Sequence, residues 1–343
     1  IIFCFIVPLF SYLYWRLAET PWDALWIAIP LLLIASFPFK RIHRLQRQLI
    51  FLCLGVATYV PLLTMARDIY FLSSGTLISR VWVFVATFVC VVAGVVHAYL
   101  GPHVKRVKIP VPNLPPQLEG FTIAQLSDLH IGPTIRAPYV RKVVTRTNAL
   151  KPHLIAMTGD IGDGPVRVYR LDAEELKNLH AEYGVVCVSG NHEHYWGVQD
   201  WMNLMTEMNF NVLTNTVRVI QHQGATLAVG GVPDTVSRLS PALEALASEA
   251  QGHAFKMLLS HRPNPARAAA KLGFHLQLSG HTHGGQFFPW TLVVKFVHEF
   301  SRGLSRVGDM WVYVNVGTGS WGPFLRLGST SEITLLELTR EAV

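Results

Sequence analysis

The sequence contains few cysteines and few charged side chains. Four of its 343 residues are cysteine, and charged residues make up 15% of the chain. Cys4, Cys53 and Cys90 fall in long apolar runs and Cys187 falls in a strand-like run, so no pairing pattern indicates a disulfide framework. Despite a formal net charge of +7, no basic stretch carries interleaved aromatic residues. We therefore predict no nucleic-acid partner.

Apolar sequence is abundant, and much of it precedes residue 101. Hydrophobic residues make up 50% of the chain, and four long apolar runs cover residues 1–14, 25–39, 49–65 and 81–100. A membrane-spanning helix needs about 17 to 25 such residues, so the fourth run is long enough, the third is barely so and the first two are short. Aromatic flanks such as Trp15 and Trp82 favour a membrane over a soluble core. We predict an all-α, four-span transmembrane region over residues 1–104.

Basic residues in the loops predict the orientation of these spans. They concentrate at residues 40–47, between the second and third runs, and at residues 105–108, after the fourth. The positive-inside rule places both segments in the cytoplasm. We therefore expect a multi-pass protein of the plasma (inner) membrane whose C-terminal domain is cytoplasmic. A cleaved signal peptide is the alternative for the first run, although that run has no basic start.

The sequence after the fourth run changes character. Residues 109–117 read I-P-V-P-N-L-P-P-Q and cannot continue a helix, so we predict a basic and proline-rich linker over residues 105–118. In residues 119–343, short β-rich runs alternate with helical patterns, and a hairpin is predicted about the turn His222-Gln223-Gly224. This order is typical of an α/β domain with two packed mixed β-sheets flanked by helices.

Five short clusters of His, Asp and Asn each follow a predicted strand. They read S-D-L-H, T-G-D, G-N-H-E, S-H and G-H-T-H, at residues 127–130, 158–160, 190–193, 260–261 and 280–283. Open α/β sheets gather their ligands at such strand ends. Mixed carboxylate and imidazole donors suit first-row divalent metals, and the absence of cysteine from these clusters argues against a closed structural zinc site. The clusters predict a site for two metal ions and metal-assisted hydrolysis.

This ordered set of motifs resembles the calcineurin-like metallophosphoesterase superfamily. The extension G-H-T-H-G-G-Q at residues 280–286 and the later N-V-G-T-G-S-W-G-P at residues 315–323 are similar to its bacterial YkuE/YaeI-like branch. The resemblance implies the metallophosphoesterase sandwich fold and hydrolysis of phosphoric esters. The predicted transmembrane region lies outside it.

The resemblance also implies roles for individual residues and two divalent metal ions per chain. The donor set accepts manganese, iron, zinc or cobalt, of which we favour manganese. A hydroxide that bridges the ions would attack phosphorus, and His192 would protonate the leaving oxygen or stabilise the pentacoordinate phosphorus. The implied ligands are Asp128, His130 and His283 for the first ion, Asn191, His261 and His281 for the second, and Asp160 for both.

The sequence leaves the substrate and several residues open. The bond cleaved is a phosphoester or a pyrophosphate, and a membrane tether makes a phospholipid or a lipid-linked nucleotide one candidate substrate. The alternatives are a catalytically weak sensory module and a nucleotide phosphodiesterase tethered for localisation only. The apolar stretch 287–300 is either a core strand and helix or a lipid-facing lip. Asp163, Arg136 and Arg262 lie near the motifs but stay outside the predicted site.

Overall fold

The structure is a computed structural model that describes residues 2–20, 28–29 and 44–341. The chain divides into two compact units, each with its own buried apolar cluster. The first, which we call the helical unit, is Ile1–Tyr99 with Gly322–Leu327. The second, which we call the sandwich unit, is Leu100–Trp321 with Gly328–Val343.

Three helices are described in the helical unit: α1 (Ile2–Leu17), α2 (Arg44–Ser74) and α3 (Arg80–Leu100). Leu13 and Leu17 of α1 form a buried cluster with Val60 of α2. The late segment Gly322–Leu327 belongs to this unit because Leu325 is buried and the backbone N–H of Arg326 donates to the carbonyl oxygen of Gly94 at 3.0 Å.

The four-span prediction is not supported. Within residues 2–20, 28–29 and 44–341, α2 and α3 are the helices long and apolar enough to cross a membrane. The described part of α1, Ile2–Leu17, has 16 residues, which is below the roughly 17 to 25 residues of a span. The second predicted run, 25–39, lies outside the described residues apart from residues 28 and 29.

The two candidate spans differ from the core helices of a soluble domain. In their most apolar windows, 33% of α2 and 28% of α3 is buried. Large apolar side chains point outward, for example Leu72, Trp82 and Phe88, which are 83%, 63% and 68% exposed. Such contiguous apolar surface is rare on soluble proteins, and it suits contact with lipid.

The sandwich unit contains two six-stranded mixed sheets, as the alternation of strand and helix patterns predicted. In spatial order the first sheet consists of β1 (His103–Val111), β12 (Glu332–Arg340), β2 (Thr122–Leu126), β3 (Leu154–Met157), β4 (Val185–Cys187) and β5 (Asn211–Val212). The second consists of β10 (Gly303–Val307), β11 (Met310–Val314), β9 (Leu276–Ser279), β8 (Phe255–Leu259), β7 (Ala225–Gly231) and β6 (Thr216–His222).

A single apolar core joins the two sheets. Ile123 and Val186 from the first sheet are fully buried in the same cluster as Leu227 and Met257 from the second. Helices flank the sheets, and their bounds are α4 (Ala137–Asn148), α5 (Val166–Ala173), α6 (Asn191–Trp196), α7 (Val198–Glu207), α8 (Leu243–Glu249), α9 (Ala266–Lys271) and α10 (Trp290–Val297). Short 3₁₀ turns occupy Pro116–Leu118, Glu174–Asn178 and His283–Gly285.

Residues 105–111, which we predicted as part of a linker, instead form most of β1. This strand runs parallel to β12 and pairs Ile109 with Leu338. Ile109 and Val111 are buried, whereas the basic side chains at residues 105 and 106 are exposed. Pro110 is tolerated because β1 is an edge strand, where a missing N–H need not break a ladder on both sides.

The sheet topology gathers the five predicted motifs. Strands β2, β3 and β4 are parallel neighbours in the first sheet, and β8 and β9 are parallel neighbours in the second. Parallel strands end at the same edge of a sheet, so the loops that follow them lie close together. Each motif occupies one of these loops.

Candidate metal centre

The backbone is strained at five of the seven predicted ligands. The φ angles are 52° at Asp128, His130 and Asp160, 71° at His281 and 51° at His283. Left-handed conformations of this kind are uncommon for residues other than glycine and cost about 1 to 3 kcal/mol each. Such strain persists where the surrounding structure demands it, and it gathers at functional sites.

The first donor cluster consists of Asp128, His130 and His283, all of them buried. The Nε2 atoms of the two histidines lie 3.0 Å apart. Asp128 Oδ1 lies 3.4 Å from Nε2 of His283 and 3.9 Å from Nε2 of His130. Three side-chain donor atoms therefore converge on one point with almost no access to solvent.

The second donor cluster is formed around Asp160 and His261. Nε2 of His261 lies 3.2 Å from Oδ2 of Asp160 and 3.2 Å from Oδ1 of Asn191. His281 turns its Nδ1 atom towards the same point, 3.3 Å from Nε2 of His261. Oδ2 of Asp160 also lies 3.7 Å from Nε2 of His130, so this carboxylate stands between the two clusters.

The electrostatics of these groups fit a bound cation. Burial raises the pKa of Asp128 to about 6, with a further contribution from the neighbouring charge of Asp160. Burial also lowers the pKa of His130 well below its ordinary value, which keeps that imidazole neutral. Burial alone would lower the pKa of His261, but the charge of Asp160 and the hydrogen bond to its carboxylate raise that pKa to about 10, so the buried acidic groups favour a cation at this position. Carboxylates and imidazoles are donors that divalent metals bind. The donor set therefore fits two metal ions.

Two glycines and a buried carboxylate hold the loops in place. The carboxylate of Glu193 is fully buried and accepts the backbone N–H groups of Asp160 at 3.0 Å, Gly162 at 2.9 Å and Gly190 at 2.7 Å. A Cβ atom added to Gly190 would clash with Oδ1 of Asp160, and one added to Gly280 would clash with Oδ2 of Asp128. Sequence reasoning missed the role of Glu193; the only signal was its place in G-N-H-E.

His192 borders both clusters without joining the seven predicted ligands. One of its nitrogens lies within 4.8 Å of donor atoms of His130 and Asp160. Its Nδ1 is 3.0 Å from Oδ1 of Asp163, which also accepts the Trp196 indole N–H at 3.1 Å. Burial alone would lower the pKa of His192, but the hydrogen bond to Asp163 and the charge of Asp160 raise it above its ordinary value. The carboxylate thus holds the proton on Nδ1 and fixes the orientation of the ring.

The sequence analysis left two arginines outside the predicted site. In the structure Arg262 borders the second donor cluster, and Arg136 does not. The guanidinium of Arg262 is 2.9 Å from Nε2 of His281 and is held by the buried Asp234, whose Oδ2 is 2.9 Å from Nε of Arg262. Arg136 instead pairs with Asp172 at 2.8 Å. The only sequence signal for Arg262 was its position directly after His261.

The glycine-rich motif at residues 315–323 forms part of the rim of the candidate metal centre. The backbone N–H of Trp321 donates to Gln286 Oε1, and Gln286 Nε2 donates to the Trp321 carbonyl oxygen, both at 2.9 Å. The indole of Trp321 lies edge-on to His192, with ring centroids 5.7 Å apart. These contacts join the loop after β11 to the loop that carries His283.

Comparison with known proteins identifies the family. Residues 121–285 match the family model of the calcineurin-like phosphoesterases. The metallophosphoesterase YkuE of Bacillus subtilis is 31% identical over 251 residues, which cover 70% of this chain and 87% of YkuE. This chain belongs to the calcineurin-like phosphoesterase family. The matched residues include all seven predicted ligand positions, since the match ends at residue 285.

Two vertebrate members of the family carry the name "transmembrane protein with metallophosphoesterase domain". The Danio rerio protein is 33% identical over 283 residues, covering 78% of this chain and 64% of its own length. The Bos taurus protein is 34% identical over 272 residues, covering 74% of this chain and 60% of its own length. The chain therefore spans less than two thirds of these two relatives.

Proposed function

We propose that this protein is a membrane-tethered, dinuclear-metal phosphoesterase that hydrolyses a phosphoester or pyrophosphate bond. The observation that carries the proposal is the position of Asp160, whose carboxylate lies 3.2 Å from His261 and 3.7 Å from His130 and so borders both donor clusters. Two dications at close range repel each other, and a shared carboxylate offsets that repulsion. Membership of the calcineurin-like phosphoesterase family supports the same reaction class.

The proposal assigns each cluster one metal ion, with manganese favoured among manganese, iron, zinc and cobalt. When bound, the ions supply a hydroxide nucleophile at neutral pH and neutralise charge on the phosphoryl oxygens. The residues proposed to hold them are Asp128, His130 and His283 for the first, Asn191, His261 and His281 for the second, and Asp160 for both.

His192 is the proposed proton donor to the leaving oxygen. Its Nδ1 is committed to Asp163, which leaves the opposite ring nitrogen, Nε2, to hold the proton that is transferred. General acid catalysis of this kind contributes about a hundredfold to ten-thousandfold to the rate. Arg262, anchored by Asp234 at the edge of the second cluster, is the proposed contact for a phosphate oxygen.

Helices α2 and α3 are the proposed tether. Two spans are enough to predict the orientation of the protein. A chain that crosses twice returns to the side on which it began, so Arg44 and Arg47 would share a side with Lys105, Arg106 and Lys108. The connection between the two helices, residues 75–79, carries no charged side chain, and the helix ends beside it carry two basic residues and one acidic residue, Arg67, Arg80 and Asp68. The positive-inside rule then places the sandwich unit in the cytoplasm. We further propose a phosphoester in a phospholipid or a lipid-linked nucleotide as the substrate class, because a tethered enzyme meets such substrates at the membrane.

Hydrolysis by the full-length protein tests the reaction. The detergent-purified chain is stripped of metal, resupplied with manganese, and assayed on bis-p-nitrophenyl phosphate, p-nitrophenyl phosphate and a lipid-linked pyrophosphate. Manganese-dependent turnover that is lost in Asp160→Asn supports the proposal, and the ranking of the three compounds reports the substrate class. Two bound ions per chain without turnover on any of the three would favour the sensory-module alternative.

A further inference from the structure

The helix that follows the last metal motif exposes an apolar surface. Within α10, only Thr291 and Val294 are buried. The stretch 287–300 is therefore not a core strand and helix. We define the apolar patch by its six exposed members, which are Phe288 (40% exposed), Trp290 (47%), Leu292 (51%), Val293 (41%), Phe296 (91%) and Val297 (68%).

Two contacts connect the segment that follows α10 to the candidate metal centre. The hydroxyl of Thr282, between two predicted ligands, donates to the carbonyl oxygen of Ser301 beyond α10 at 2.6 Å. The ring of His298, at the end of α10, lies 5.9 Å from the ring of His281. The helix that carries the patch is therefore followed directly by a segment that contacts the loop of the predicted ligands His281 and His283.

Clustering is what sets this patch apart from other exposed apolar residues of the sandwich unit. Val219 on β6 is 48% exposed, but Gln221 and Thr216 are exposed on the same strand. Single exposed apolar side chains of this kind are normal in soluble proteins. Six within ten consecutive residues form a contiguous surface of the kind that contacts a membrane or a partner.

We propose that α10 lies in the interfacial region of the bilayer that α2 and α3 cross. This inference rests on the proposed membrane tether and does not depend on the proposed hydrolysis. Helix α3 ends at Leu100 and β1 begins at His103, so only Gly101 and Pro102 separate a candidate span from the sandwich unit. Three residue steps reach at most about 10 Å, which keeps the start of the sandwich unit close to the membrane surface.

The composition of α10 favours lipid over a protein partner. Its sequence, W-T-L-V-V-K-F-V, has no acidic residue. Trp290 has an amphipathic ring of the type enriched at the membrane interface, and Lys295 is exposed and able to extend its ammonium group to lipid phosphates. Helices that lie in the interface plane combine an apolar face with basic side chains in this way.

Photocrosslinking to lipid tests the proposal on the full-length protein. The photoreactive residue p-benzoylphenylalanine replaces Phe296 in one variant, Val219 in a second and Trp82 in a third. Trp82, in α3 and 63% exposed, is the control for the membrane tether, and Val219, at 48%, is the control for simple exposure. Each variant is reconstituted in vesicles of phosphatidylcholine and phosphatidylglycerol with a tracer of radiolabelled phospholipid, and is then irradiated.

We expect the lipid adduct at position 296 to reach at least half the level at position 82 and at least tenfold the level at position 219. Background labelling at 296 with strong labelling at 82 would overturn the proposal, and so would a protein–protein adduct at 296 in place of lipid. Background labelling at both 82 and 296 would remove the tether and the inference together. Since crosslinking needs no turnover, an inactive protein with labelled 296 would contradict the proposed hydrolysis and leave this inference intact.

Discussion

Asp163 is predicted to act through His192, and a double-mutant cycle measures that dependence. Asp163 Oδ1 lies 3.0 Å from His192 Nδ1 and 3.1 Å from the Trp196 indole nitrogen. In Asp163→Asn the amide oxygen is still able to accept both N–H groups, so the substitution removes charge while keeping the geometry. A charge-assisted hydrogen bond is about twice as strong as a neutral one, and bonds to charged groups contribute about 1.5 to 3 kcal/mol.

The substitution thus loses about half of that interaction, about 0.8 to 1.5 kcal/mol, which corresponds to a decrease in kcat of about fourfold to thirteenfold. His192→Ala alone lowers kcat by about a hundredfold to ten-thousandfold. If Asp163 only positions His192, Asp163→Asn changes kcat by less than about twofold once His192 is alanine. Equal losses in the two backgrounds would refute the assigned positioning role.

The assay is manganese-supported hydrolysis of bis-p-nitrophenyl phosphate, with metal content measured on every variant. Asp172→Asn is the matched control, because Asp172 and Asp163 are each 5% exposed. Asp172 pairs with Arg136 and accepts the backbone N–H of Ala137, both at 2.8 Å. We expect this control to lower Tm and to leave kcat unchanged. A loss of metal in Asp163→Asn would show that the carboxylate supports the metal centre directly.

Three further variants test other parts of the site. Asp160→Asn should reduce bound metal below two ions per chain, because the carboxylate borders both donor clusters. Elemental analysis measures the bound metal, and two ions per chain in this variant would contradict the bridging role of Asp160. Arg262→Ala should raise KM about tenfold or more with little change in kcat, whereas Arg267→Ala, whose side chain is 70% exposed, should change neither value. Glu193→Ala should lower Tm markedly, since three buried N–H groups lose their acceptor at a cost of about 1 to 3 kcal/mol each. A Tm within about 1 or 2 °C of that of the unaltered protein would argue against a structural role for the Glu193 carboxylate.

The sandwich was predictable because its signals are local. The β6–β7 hairpin forms about Gln223 and Gly224, whose φ angles of 51° and 91° suit the turn type that favours a glycine at that position. The order of strands and helices likewise follows from short-range periodicity. The sequence therefore placed the predicted ligands in loops after parallel strands, and the structure brings the His and Asp donor atoms of each cluster to within 4.8 Å of one another.

The strand at residues 105–111 and the roles of three polar residues were missed because the deciding contacts are distant in sequence. The four-span prediction failed for a different reason, since within the described residues only α2 and α3 are long and apolar enough to cross a membrane. Pairing with β12 makes a strand of residues 105–111, and that partner lies more than two hundred residues away. Asp163, Glu193 and Arg262 gain their roles from neighbours in other loops, which no local pattern reveals.

By itself the sequence determined which residue types follow the strand ends, and hence the donor set on which the proposed two-metal chemistry rests. Tertiary structure alone decided the exposure of α10. An apolar run of eight residues has the same composition whether a sheet covers it or not. Whether its side chains are buried depends on what packs against them, and the fold leaves Phe296 91% exposed beside the metal centre.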